Sequence, residues 1–187
     1  MESRSLRQMI WDYLSAKMNK EIAIRAADEA VQNVGVTESE KDNHGPAIKI
    51  YLATVGLPES FAWCAAFLKY RFLNAAKDLN MELSEGFKNL SGYTPEWAAY
   101  AKKHNVWISV DEAKANPDLI KKGYVALFYS QPKGRIYHCG IVIGCSLVAF
   151  GQASAAGAVR GVGRACGDWI NRKRSAIPHI RSREPGN

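Results

Sequence analysis

No stretch of this chain stays apolar over the roughly 20 residues that a membrane-spanning helix needs, so insertion into a bilayer is not expected. The opening residues Met1-Glu2-Ser3-Arg4-Ser5-Leu6-Arg7 carry charge with no apolar run behind them and turn amphipathic within a few positions, so a secretory signal peptide is not expected there. Internal repeats and low-complexity segments are missing, which removes solenoids and disordered arrays from consideration. Cysteine is sparse, with four in 187 residues, and the spacing forms no evident disulfide framework. Cys139 and Cys145 fall in what reads as one strand, about 20 Å apart at full extension. A disulfide requires α-carbons within about 7 Å, so those two cannot pair there, although Cys166 could in principle meet either. All four, Cys64 included, are expected as free thiols. The glycines between Gly151 and Gly167 lack the order of a phosphate-binding loop and read as turns around a strand at about Val159 to Val162.

The length suits one domain with a proper core and is short for two. A formal net charge of +7 favours anionic partners: nucleic acid, an acidic membrane surface or the bacterial cell wall. Charge alone does not choose among them.

Ser5-Leu6-Arg7-Gln8 has the form of a capping box. Leu6, Met9, Ile10, Tyr13, Leu14 and Met18 follow at helical spacing, and after Asn19-Lys20 a second set runs through Ala23, Ala27, Ala30, Val31 and Val34. This predicts two helices or one bent helix ending at Gly35. Pro46 suits the first position of a helix over Ala47 to Val55. Cys64, Leu68, Phe72, Ala75 and Leu79 share one helical face, so a helix is expected to start near Cys64 and fade near Asn80. Met81 to Tyr93 has no period and reads as loop. Thr94 as cap and Pro95 as first residue predict a helix to about His104, and Asp111 is expected to cap a short one before Asn116-Pro117. Then Tyr124–Tyr129, His138–Gly144 and Leu147–Phe150 read as strands, with a hairpin turn at Gln131-Pro132-Lys133-Gly134. Helices first and an antiparallel sheet afterwards predict an α+β fold.

The chemistry concentrates at two points. Gly56-Leu57-Pro58-Glu59-Ser60 is turn-rich, so Cys64 falls in the first turn of its helix, where unpaired amide N–H groups and the helix dipole favour thiolate over thiol. A buried, inert cysteine would occupy such a position equally well. In the second strand, alternation sends His138, Gly140, Val142 and Gly144 to one face and Cys139, Ile141, Ile143 and Cys145 to the other. The small residues beside His138 would let a helix deliver Cys64 to that face, giving a thiol nucleophile beside an imidazole base. A lone histidine at a strand start is more often structural, and the pairing with Cys64 is what favours function.

The succession Asn43-x-Gly45-Pro46, Ala62-Trp63-Cys64-Ala65-Ala66-Phe67 and Gly134-Arg135-Ile136-x-His138-x-Gly140-Ile141-Val142 resembles the CHAP family of cysteine- and histidine-dependent amidohydrolases and peptidases, related to NlpC-type wall peptidases. The closest flavour is that of cell-wall hydrolases from Bacteroides-like bacteria and their phages. The likeness runs from about Glu21 to about Arg183. It implies a papain-like fold with N-terminal helices packed on an antiparallel β-sheet, a helical extension over 1–20 and a catalytic domain over 21–187. The resemblance also implies cleavage of an amide bond in peptidoglycan by a monomer, with Cys64 as nucleophile and His138 as base. Trp63 matches an aromatic beside the nucleophile and is assigned to substrate binding, with plain core packing an equal reading. No cofactor, metal, nucleic-acid partner or membrane insertion is implied. Action at the wall without a visible signal peptide implies phage-lysin-like release, contact-dependent secretion or a signal removed beforehand.

One departure stands out. Many relatives carry Glu-Gly-Asn on the strand after the histidine strand, where this chain has Phe150-Gly151-Gln152. Gln152 is then the polar candidate for orienting the imidazole, and the lost glutamate allows an alternative reading as a weakened or inactive wall- or partner-binding module. A nucleic-acid binder resting on Arg172-Lys173-Arg174, Arg181 and Arg183 lacks any recognition motif. A zinc site from Cys64, His138 and Cys139 is disfavoured, because neighbours in a strand point to opposite faces. His44 reads as a surface loop histidine and a spare site candidate. Cys139, Cys145 and Cys166 read as core thiols whose replacement by alanine leaves activity intact.

Overall fold

The structure is a computed structural model that describes residues 6–39, 41–144 and 147–149, those of 6–18 and 147–149 as backbone. The order is α1 (Leu6–Val31), α2 (Pro46–Ala53), α3 (Cys64–Asp78), α4 (Glu85–Lys88), α5 (Thr94–Lys103), α6 (Val110–Ala115), a 3-10 turn (Pro117–Leu119), then β1 (Val125–Ser130), β2 (Arg135–Val142) and β3 (Leu147–Ala149). The strands form one antiparallel sheet in the order β1-β2-β3, so the expected α+β class holds. Among the described residues no helix is long and apolar enough to cross a membrane.

The organising element is α3. Where the spacing predicts one buried face, Ala65, Ala66, Phe67, Lys69, Arg71 and Ala76 are buried along with Cys64, Leu68, Phe72 and Ala75. A helix covered on most sides belongs in the interior, and α1, α2 and β2 all pack against it. The α1 face is built from Ile22, Ala26, Ala27 and Ala30, all fully buried, and small side chains let the two helices approach closely. Lys69 reaches out of this interior to the Leu90 carbonyl at 2.8 Å, and burial pushes its pKa down.

Several local expectations are corrected. Of the two N-terminal alternatives, two helices or one, the chain takes one, continuous across Asn19-Lys20. Polar residues there face outward, which leaves the helix geometry undisturbed. Thr94 is not the cap of α5 but its first residue, because its hydroxyl donates to the Ile136 carbonyl at 3.0 Å and ties the helix to β2. Ser109 rather than Asp111 starts α6, through a reciprocal capping box with Glu112. Within the expected loop at 81–93, Ser84 caps the single turn of α4, which is too short to show a period. The capping box at Ser5 and the strand at 159–162 lie outside the described residues.

The chain enters the sheet through Gly123, with φ +90, whose N–H donates to the Val142 carbonyl at 2.7 Å. It lies hard against Ala23 of α1, so the first helix and the first strand are seated on each other at this turn.

Candidate active site

Two loops set the position of Cys64. In the first, Asn43 takes the left-handed conformation (φ 58) that asparagine tolerates, and Gly45 (φ 140) leads into α2. The second is the turn before α3, where the Ser60 N–H donates to the Asn43 carbonyl at 3.1 Å. A Glu59 carboxylate oxygen accepts from the Gly45 N–H at 2.9 Å. The Trp63 indole N–H donates to Glu38 at 2.8 Å. The Asn43-x-Gly45-Pro46 segment therefore acts as a brace for the chain entering α3. His44 stays in its own loop, with Nδ1 donating to the Asp42 carbonyl at 2.7 Å.

Trp63 is the N-terminal cap residue of α3 and makes no side-chain cap bond, so the N–H groups of the first turn have no side-chain acceptor from that residue. The residue is 4% exposed, its ring stacked on Tyr51 at 5.8 Å and edge-on to Phe67 at 6.2 Å. These contacts are those of a packing residue, with little ring surface left to offer a ligand.

Cys64 opens α3 and is 3% exposed. The Cys139 side chain and backbone N–H and the His138 side chain lie close enough to act on its thiol. Nucleophile and base candidates, more than seventy residues apart in sequence, are thus brought together. The expected face is corrected, however. Cys139 and Ile141 share the buried cluster with Cys64 and the rest of α3, so the helix meets the apolar face of β2 rather than the Gly140 face. The apolar side has more area to bury, which decides the matter. β2 is irregular just before His138: Phe128 pairs with His138 but Tyr129 pairs with Ile136, leaving Tyr137 extra. Such an irregularity re-aims side chains out of strict alternation. The imidazole lies against Phe128 at 5.5 Å and Tyr137 at 6.0 Å.

The electrostatics favour a thiolate. The hydrogen bond from Cys139 pulls the Cys64 pKa down, burial opposes it, and the hydrogen bond and charge of His138 pull it down further, to about 5. Cys139 goes the other way: wholly buried and beside the Cys64 charge, its thiol is held well above the ordinary value. Cys64 is therefore the ionised member and Cys139 the neutral one. The rate of Cys64 alkylation by iodoacetamide, a reagent slender enough for a nearly enclosed sulfur, is expected to rise with pH through an acid limb near 5. A limb near the ordinary thiol value would contradict the arrangement.

Chemically the arrangement offers a nucleophile, an adjacent proton acceptor and backbone donors at a helix start. Among the described residues no group of three or more His, Cys, Asp or Glu is placed to hold a metal ion. Gln152, Phe150, Cys145 and Cys166 lie outside the described residues; Cys64 and Cys139 are free thiols. Sequence reasoning missed Cys139, because strand alternation alone placed it opposite His138; the signal was a thiol on the apolar face that any packed helix would cover. A pocket at the far end of α3, lined by Leu73, Met81, Leu83 and others, contains neither histidine nor cysteine. No protein-family model, curated protein or solved structure matches the chain.

Proposed function

We propose that the protein is a cysteine amidohydrolase or peptidase that cleaves an amide bond in bacterial peptidoglycan, on a papain-like arrangement of the CHAP and NlpC type. The observation that carries this reading is Cys64 at the start of α3, its thiol pKa drawn down to about 5 by residues of β2 that include His138. The Trp63-Cys64-Ala65-Ala66-Phe67 and His138-x-Gly140-Ile141-Val142 segments supply the substrate class by resemblance. A net charge of +7 suits capture of an anionic polymer.

The chemistry follows from the residues. His138 accepts the Cys64 proton, and the thiolate attacks the amide carbonyl carbon, moving the C=O electron pair onto oxygen. Backbone N–H groups at the start of α3 hold that oxyanion. Collapse breaks the C–N bond, and the leaving amine takes its proton from the His138 imidazolium. Water then attacks the thioester as His138 accepts a proton, and the second collapse releases the carboxylic acid and returns the thiol. The protein is proposed to act at the cell wall as a monomer, with no cofactor.

Mass spectrometry of soluble fragments from purified peptidoglycan incubated with the protein tests this. Fragments carrying a new amine and a new carboxyl group are expected, and their masses assign the bond. An intact wall after incubation would favour the other reading, a binding module with little or no activity, which the sequence Phe150-Gly151-Gln152 motivates.

A further inference from the structure

The end of the β1–β2 hairpin carries a group of side chains that the core does not use. Tyr93, just before α5, and Tyr137 of β2 are 50% and 43% exposed. Each has a cation over its ring. The Arg135 guanidinium sits 5.4 Å from the Tyr93 ring centroid, and the Lys133 ammonium 5.2 Å from that of Tyr137. The bond from the Thr94 hydroxyl to the Ile136 carbonyl, at 3.0 Å, fixes the start of α5 to the strand between Arg135 and Tyr137. The Tyr137 ring in turn lies 6.0 Å from the His138 ring, so the group reaches from the hairpin turn to the proposed base.

Folding alone does not account for this arrangement. Tyr137 is the residue left extra in the β1–β2 register, so the ladder does not need it, and a bulge of this kind serves to re-aim a side chain. The charges are equally uncommitted. No acidic residue occurs between Val125 and Val142. Among the described residues neither Lys133 nor Arg135 pairs with a carboxylate. The acid in the first turn of α5, Glu96, accepts instead from the Ser91 N–H at 3.2 Å and hydroxyl at 2.7 Å. Two exposed rings held beside two cations without counter-charges are complementary to an anionic chain that also has apolar surface to cover.

We propose that Tyr93, Lys133, Arg135 and Tyr137 form a docking surface for the carboxylate-bearing peptide of peptidoglycan, the cations pairing with its carboxylates and the rings packing on its aliphatic parts. The choice of polymer rests on the proposed action at the cell wall, whereas binding here requires no cleavage. A peptide held on this surface is brought up to the imidazole that the proposed reaction uses. Single-stranded nucleic acid also favours rings and cations, but it calls for a basic groove that follows successive phosphates, and two cations make no such track.

Co-sedimentation with purified, insoluble peptidoglycan tests this in a Cys64→Ala background, where the polymer stays intact during the measurement. Adding Lys133→Ala and Arg135→Ala is expected to raise the apparent Kd about tenfold, and Tyr93→Ala with Tyr137→Ala by about as much. The effect of the cation pair should shrink as salt is raised, while that of the tyrosine pair persists. Lys49→Ala with Lys77→Ala removes the same charge from exposed positions on α2 and α3, and should leave the Kd within about twofold. Should the tyrosine replacements lower the melting temperature, the exposed cation pair alone decides. Absence of wall binding in the parent, or equal binding by the Lys133/Arg135 and Lys49/Lys77 variants, overturns the proposal. So does a hairpin pair whose loss weakens binding of a single-stranded oligonucleotide but not of the wall. Wall binding that depends on the hairpin, in a protein whose wild type releases no fragments, would reject the hydrolase reading and keep this one.

Discussion

Cys64→Ala is expected to release no peptidoglycan fragments above a protein-free control, a loss of at least about a thousandfold in kcat. Among the described residues no other group can form the thioester: Cys139 is protonated and fully buried, and the His138 imidazole has no acidic nucleophile left to activate. The fold should survive, because alanine keeps the helix start and removes one sulfur atom. A second measurement checks that the thiolate exists at all. Cys64 has a folded pKa of about 5 against an ordinary 9.0, so its contribution to stability is complete above the ordinary value. It declines as pH falls across that interval and is gone below 5. Denaturant midpoints of wild type should therefore decline relative to those of Cys64→Ala from about pH 9 to pH 5. Substantial residual turnover by Cys64→Ala, or parallel pH curves for the two proteins, would remove Cys64 from the role proposed for it.

Gly123→Ala should be the most damaging small substitution in the described chain. A Cβ there would lie 2.5 Å from the Ala23 carbonyl carbon and oxygen and 2.8 Å from the Ala23 Cβ, all on the rigid body of α1. The backbone at φ +90 adds strain for any residue with a side chain. Together these predict a cost of about 3 kcal/mol or more, which for a domain of this size lowers the melting temperature by about 10 °C. Gly134→Ala isolates the backbone part. It also has positive φ, at +60, but nothing lies within 4 Å of the added Cβ, so a cost of about 1 kcal/mol is expected. Equal melting temperatures for the two variants would mean that the turn before β1 does not press on α1 as described.

The parts of the fold legible in the sequence were those with strong local punctuation. Pro46 opens α2, the turn-rich run before Ala62 delivers Cys64 to the first turn of α3, and the Gln131–Gly134 turn separates β1 from β2. Starts decided by distant partners were less legible. The Thr94 hydroxyl looked like a cap because threonine usually is one there, yet Ile136 takes its hydrogen bond. At the candidate site, Cys64 and His138 could be read from residue type and position. The covered face of β2 could not, since that depends on which surface α3 buries. Nor could the extra residue at Tyr137, which leaves no mark in a pattern of alternation.

The docking of α3 on β2 has a consequence for how the thiol behaves over time. Among the described residues, every influence that ionises Cys64 beyond its own helix start comes from β2. When the helix lifts from the strand in a transient opening, the sulfur loses both partners together and takes up a proton. The opened state thus carries an ordinary, sluggish thiol, and the reactive one exists only in the closed ensemble. The nucleophile is silenced whenever it becomes widely accessible, so bulky electrophiles meet it in its least reactive form. Small reagents able to approach the closed sulfur meet the thiolate, which makes selectivity toward electrophiles a property of breathing motion as well as of shape.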